Sequence, residues 1–180
     1  MRQGRWSIAA MLLFSAVSFA TADDRGMVTI GGGAFLPYNG DVGGTAMVGA
    51  EGRVGQHLSV GGEVDYRHFD VGRDASVENV NTRALVRYTW FPGVVNPYVG
   101  AGAGVGIGWI HGTAHLGAID LPFRDAGVTV GVLGLAGIDV PLGERVSLFA
   151  ESRISSDVDV NFGNAQLGGL TGASGARIRF

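Results

Sequence analysis

The fourteen residues NPYVGAGAGVGIGW, from Asn96 to Trp109, decide how this chain folds. From Gly100 to Gly108 every second residue is glycine. Repeated glycine is costly in a helix, and Pro97 stands at the start of the run. Strict alternation at period two is instead the mark of a strand with two unlike faces. One face carries Val99, Ala101, Val105, Ile107 and Trp109; the other is almost bare backbone.

The same period extends in both directions along the chain. It predicts eight strands, near residues 27–36, 45–54, 58–67, 80–90, 98–109, 128–140, 146–155 and 169–180. One row is apolar throughout, with Val28 and Ile30, Val48 and Val54, Val60 and Tyr66, Val80 and Trp90. It continues with Val128 and Val140, Leu148 and Ile154, and Leu170 and Phe180. Every charge inside these strands falls on the other row: Glu51, Arg53, Glu63, Asp65, Arg67, Arg83, Arg87, Asp139, Glu151, Arg153, Arg177 and Arg179. Shared parity over six strands predicts one apolar and one polar face. The fold class expected is all-β, an eight-stranded antiparallel up-and-down barrel in a single domain.

Alternation alone does not say which face is outside, since a soluble sandwich or lipocalin-like barrel shows the same pattern. Four features favour a transmembrane barrel. Connections alternate between short ones, near 55–57, 91–97 and 141–145, and longer ones, near 37–44, 68–79, 110–127 and 156–168; short periplasmic turns and longer external loops have this arrangement. Strands of about ten residues match a tilted bilayer crossing. Aromatics of the apolar row gather at strand ends, Trp90 and Phe180 towards one edge and Tyr66 and Trp109 towards the other, as girdles at two interfaces. The polar row carries five acids against seven arginines, groups that can pair inside a narrow lumen. Gly100 to Gly108 would leave room there for long arginine side chains.

Composition narrows the class further. Glycine is abundant, at 32 of 180 residues, against an average near 7%. The absence of cysteine excludes disulfides and thiol chemistry. All 13 basic residues are arginine, and a net charge of −3 offers nothing to attract nucleic acid. Residues 1–22 have the form of a secretory signal peptide: Arg2 and Arg5, an apolar stretch from Ile8 to Ala20, and small residues at Ala20 and Ala22 with cleavage before Asp23. The apolar stretch is shorter than the roughly 18 residues of a spanning helix, which disfavours an anchor. Residues 23–180 would then form the barrel domain, with 11 arginines against 16 acids and a net charge of −5.

Three stretches resemble one family. NPYVGAGAGVGIGW is similar to the Pro-Tyr-Val-Gly-x-Gly strand of the outer-membrane β-barrel superfamily that includes the OmpA-like and OmpX/Ail-like barrels. AGIDVPLGERVSLFAESRI, Ala136 to Ile154, resembles its penultimate hairpin, with a strand ending in Glu-x-Arg. GARIRF, Gly175 to Phe180, resembles the signal read by the barrel-assembly machinery through Gly175, Ile178 and Phe180, with Ala173 in its usual polar slot. The resemblance implies the barrel domain only, without a periplasmic peptidoglycan-binding domain. It implies the cell outer membrane as location, lipids and lipopolysaccharide as surroundings, and a monomer.

No catalytic, cofactor or metal site is predicted. Lipid A deacylation needs a serine activated by a histidine, but His57, His68, His111 and His115 do not fall in a His-x-Ser arrangement. His68 with Asp70, or Ser155 and Ser156 above Glu151, form no spacing that requires a site. His111 and His115 are four apart, but in a predicted loop with no third ligand evident. The G-x-G-x-x-G nucleotide spacing is absent. Asp41, Asp70, Asp74, Glu78, Asp120, Asp125, Asp157 and Asp159, against Arg73 and Arg124, predict an acidic external rim that divalent cations could bridge to lipopolysaccharide. The function expected is structural or adhesin-like surface contact; a narrow porin is the alternative, and a lipid A-modifying enzyme ranks behind it.

Overall fold

A computed structural model describes residues 26–90, 93–116, 119–160 and 166–180. The expected signal peptide, with its cleavage residues Ala20 and Ala22, lies outside the described residues. Eight strands follow in chain order: β1 (Gly26–Pro37), β2 (Gly43–Arg53), β3 (Leu58–Val71), β4 (Ala75–Thr89), β5 (Asn96–Leu116), β6 (Ile119–Pro141), β7 (Val146–Asp159) and β8 (Gly169–Arg179). Each pairs antiparallel with its neighbour, and β1 with β8 closes the barrel. Closure leaves no unpaired edge, which a sheet in lipid requires.

The stagger of the barrel can be read from the register. Stepping across the ladder from Gly26 passes Gly52, Val60, Val86, Ala101, Gly134, Ile154 and Leu170, and returns to β1 at Leu36. One circuit therefore climbs ten residues. With eight strands and standard rise and spacing, that shear tilts the strands by about 40° from the barrel axis. The resulting cylinder has an interior only wide enough for side chains.

The apolar row faces outward on every strand. Ile30, Val60, Val86, Val105, Val132, Ile154 and Leu170 are all exposed, and together they form a continuous apolar belt. A soluble monomer rarely exposes contiguous apolar patches above a few hundred Å²; lipid is the solvent that accepts this one. Trp90, Tyr66 and Phe180 are exposed on this wall. Trp90 meets Tyr88 edge-on at 5.4 Å, and Tyr88 in turn faces His57 at 5.6 Å.

The two ends differ, though not as the sequence suggests. The near end holds Gly26, Arg179 and the connections 54–57, 90–95 and 142–145. At the far end the expected long loops are largely strand. The stretch 68–79 shrinks to a three-residue turn at 72–74, made possible by Gly72 at φ +66°. The stretch 110–127 is a β-ribbon in which β5 and β6 stay paired from Trp109–Ala126 to Leu116–Ile119. Beyond Gly112, the partner of Ala75, this ribbon has no flanking strand among the described residues. Pairing satisfies the backbone groups that face across the ribbon and solvent takes those that face outward, so excess length is taken up as hairpin rather than coil.

Candidate functional site

The inward row meets along the barrel axis, and its charges form a ladder of ion pairs. Nearest the far end, Arg67 and Arg83 face Asp65 and Asp157. Arg67 Nη1 donates to Asp157 Oδ2 at 2.7 Å and to Ser155 Oγ at 2.8 Å, while its Nε lies 3.1 Å from Asp65. Arg83 Nη2 donates to Asp157 Oδ1 at 2.7 Å, and its Nη1 contacts Asp65. Asn81 adds a donor to Asp65 at 3.0 Å and accepts from Thr129 at 3.1 Å. An apolar cap of Phe35, Phe69, Val77 and Leu167 lies above this square, its two phenyl rings 5.4 Å apart. The Arg67 guanidinium sits 4.8 Å over the Phe35 ring.

Midway down, Arg153 on β7 reaches across to Glu63 on β3, which stands on the opposite wall. Its Nη1 and Nη2 hold both Glu63 oxygens, at 2.5 and 2.7 Å, and its Nε donates to Glu151 at 2.5 Å. This two-pronged geometry is the strong form of an arginine–carboxylate pair. Two small apolar clusters are buried in the lumen as well, Leu85 with Tyr98, Leu133 and Leu135, and Met47 with Phe149 and Ala173. Tyr98 links this level to the next: its hydroxyl donates to Glu151 at 2.8 Å and accepts from Arg177 Nη2 at 2.8 Å.

Towards the near end Arg177 also donates to Asp139 at 3.0 Å, and Arg179 does so at 2.7 Å. Arg87 pairs with Glu51 at 2.7 Å, and the Ser59 hydroxyl caps the other Glu51 oxygen at 2.8 Å. Desolvated charges are tolerable only when paired and hydrogen-bonded, a condition this ladder meets at most positions.

Of the charges expected inside, Glu51, Glu63, Asp65, Arg67, Arg83, Arg87, Asp139, Glu151, Arg153 and Arg177 are buried. Arg179 is partly exposed but paired. Arg53 departs from the group: it is exposed at the near mouth, with no ion pair among the described residues. Asp157 and Asp159, expected on the external rim, are instead buried in β7. The polar Ser156 interrupts the apolar row where the strand was expected to end, although the inward parity from Ser147 to Asp159 is unbroken. With these two acids the inward row carries seven carboxylates and seven arginines, so its formal charge closes to zero. Tyr98 was missed as well; its parity, shared with Gly100, was the signal that it points inward.

The glycines of β5 make room, but mostly for other groups than arginine. A Cβ at Gly104 would strike the Thr82 carbonyl and the Arg83 side chain. At Gly100 and Gly102 it would meet Leu135 and Leu85, at Gly106 Asn81 and Thr129, and at Gly108 Leu167. Room for carboxylates comes from β6, where Gly131 and Gly127 lie against Asp157 and Asp159.

The histidines stay apart from the candidate serines. The His57 ring donates from Nδ1 to the Thr89 carbonyl at 2.9 Å at the near end. His68 is exposed on the outer wall, whereas Ser155 is inside accepting from Arg67. His111 borders an open surface groove with Asp70, Arg73, Asp74, Phe123 and Arg124. The side chain of His115 lies outside the described residues. Among the described residues no three His, Asp or Glu side chains converge as metal ligands.

A closed eight-stranded barrel with a lipid-facing apolar wall and an ion-paired lumen defines a transmembrane protein of the outer-membrane type. The comparisons agree. Residues 7–170 match the family model described as the outer membrane protein beta-barrel domain, and the chain belongs to that family. Its location is accordingly the outer membrane. The crystal structure of Neisserial surface protein A (NspA) is similar with a TM-score of 0.60 at 20% identity, over 88% of this chain and 98% of that one. The attachment invasion locus protein Ail of Yersinia pestis, crystallised with the heparin analogue sucrose octasulfate, gives 0.51 at 12% identity, over 86% of this chain and 99% of that one. At such identities the likeness concerns fold. No curated protein sequence matches the chain.

Proposed function

We propose that this protein is a non-catalytic structural barrel of the outer membrane that presents its far end for surface contact. The observation that supports this most is the filled lumen. Three levels of cross-lumen ion pairs and the cap of Phe35, Phe69, Val77 and Leu167 occupy the axis where a channel would run. Such a core stiffens the wall and disfavours conduction.

The orientation follows from the hairpins. The near end, with Gly26, Arg179 and the compact turns, faces the periplasm, and the β5–β6 ribbon projects outward. Among the described far-end residues Asp41, Asp70, Asp74, Glu78 and Asp125 outnumber Arg73 and Arg124. That balance favours divalent-cation bridging to lipopolysaccharide phosphates over direct capture of a polyanion such as the heparin analogue held by Ail. Residues 1–22 act as the export signal and residues 23–180 as the mature, monomeric barrel. Gly175, Ile178 and Phe180 present the C-terminal strand to the assembly machinery.

Planar-bilayer recording tests the central point. The expected result is no stable single-channel step from the refolded barrel. A reproducible ohmic conductance, abolished by bulky substitutions at lumen positions, would replace this reading with the narrow porin. An altered lipid A acyl pattern in a deletion strain, restored by the wild-type chain, would instead indicate an enzyme.

A further inference from the structure

At the near end the axis opens into a vestibule of about 140 Å³. Its lining includes Arg53, Arg87, Arg177 and Arg179 but only two carboxylates, Glu51 and Asp139. Both carboxylates are already engaged at both oxygens. Glu51 receives Arg87 on Oε1 and Ser59 on Oε2. Asp139 receives Arg177 and Ser147 on Oδ1 and Arg179 on Oδ2. Among the described residues neither is paired with Arg53, so the lining itself carries a formal surplus of two positive charges.

Hydrogen-bond capacity shows the same imbalance. A guanidinium carries five N–H donors and no acceptor. Arg53, exposed at the mouth, has no hydrogen bond or ion pair among the described residues, so its five donors remain available to a ligand. A cavity with net positive charge and an unpaired guanidinium at its mouth suits an acceptor-only anion. Its volume is room enough for one tetrahedral or planar oxyanion. Planar guanidinium forks match phosphate and carboxylate oxygens in particular.

We infer that the near-end vestibule is a binding site for a small oxyanion of the phosphate or carboxylate class, closed over by Arg53 and Arg179 above the buried Arg87 and Arg177. The inference uses the proposed function only to say that the vestibule faces the periplasm. A conducting barrel would leave anion binding unaffected, so the two can fail separately.

The test is calorimetric titration of the refolded barrel with inorganic phosphate in non-ionic, phosphorus-free micelles, at ionic strength matched with chloride. Acetate serves as the carboxylate arm. Saturable binding of phosphate or acetate is expected, with none for chloride. Arg53→Gln, which removes no ion pair, is expected to weaken it by about tenfold while heat-modifiable migration shows the fold intact. Arg53→Lys, keeping the charge without the fork, is expected to fall between. Nanodiscs containing phosphatidylglycerol separate the two sources of the anion. If the titration disappears there, headgroup phosphate occupies the site; if it persists, the ligand is a free anion. Oxyanion binding no stronger than chloride, or equal affinity in Arg53→Gln, would overturn the assignment.

Discussion

Replacing Arg153 by methionine removes the central rung of the lumen ladder while keeping most of the side-chain volume. The two carboxylates it serves are not equally dependent on it. Both oxygens of Glu63 are held by Arg153 and by no other donor among the described residues. Glu151 keeps the Tyr98 hydroxyl at 2.8 Å and Arg177 at 3.3 Å. Leaving one buried carboxylate without its cation costs about 3–5 kcal/mol, and this is the expected loss for Arg153→Met. The loss resides mainly at Glu63. Adding Glu63→Gln should therefore recover about 2–3 kcal/mol, whereas adding Glu151→Gln should recover less than about 1 kcal/mol, because that carboxylate is still solvated by its remaining partners. Equilibrium urea unfolding of the barrel in lipid vesicles, followed by the fluorescence of Trp90 and Trp109, measures all three variants against the wild type. Equal recovery by the two glutamine substitutions, or a loss below about 1 kcal/mol for Arg153→Met, would refute the assignment of Glu63 as the dependent partner.

Three further substitutions probe the wall. Gly104→Ala and Gly172→Ala are the same chemical change in opposite environments, one inside the lumen and one on the outer wall: the first places a methyl group against the Thr82 carbonyl and Arg83, the second meets nothing within 4 Å. The first is expected to abolish or strongly slow refolding on a gel-shift assay, and the second to leave it unchanged. Val132, 58% exposed on the lipid face beside Ala103, tests the direction of the apolar row. Val132→Arg should cost about 2–4 kcal/mol in bilayers, whereas a water-facing position would tolerate it, and a cost near zero would count against a lipid-facing row.

Much of this architecture is legible in single residues of the sequence. Period-two alternation in Val99 to Trp109 and its repeats identifies which side chains share a face, because successive Cβ atoms on a strand point to opposite sides. The placement of Glu63 and Arg153 on one row, and of Val105 and Val132 on the other, follows from parity alone. Strand ends are less legible. Ser156 on the outer row mimics a strand terminus, and the glycines and histidines between Ile110 and Gly127 mimic a loop, since local composition does not register a backbone that is satisfied by pairing across a hairpin.

What the sequence by itself determined is therefore the row to which each residue belongs and the closure that so many two-faced strands require in lipid. The tertiary structure alone decided who meets whom. Arg153 finds Glu63, and Arg67 finds Asp157, across 90 residues of chain and the full width of the lumen. Those meetings are set by the ten-residue stagger of the closed sheet, which fixes the height of every inward residue on the opposite wall. Parity along one strand contains the direction of a side chain but not its height against a strand it never touches.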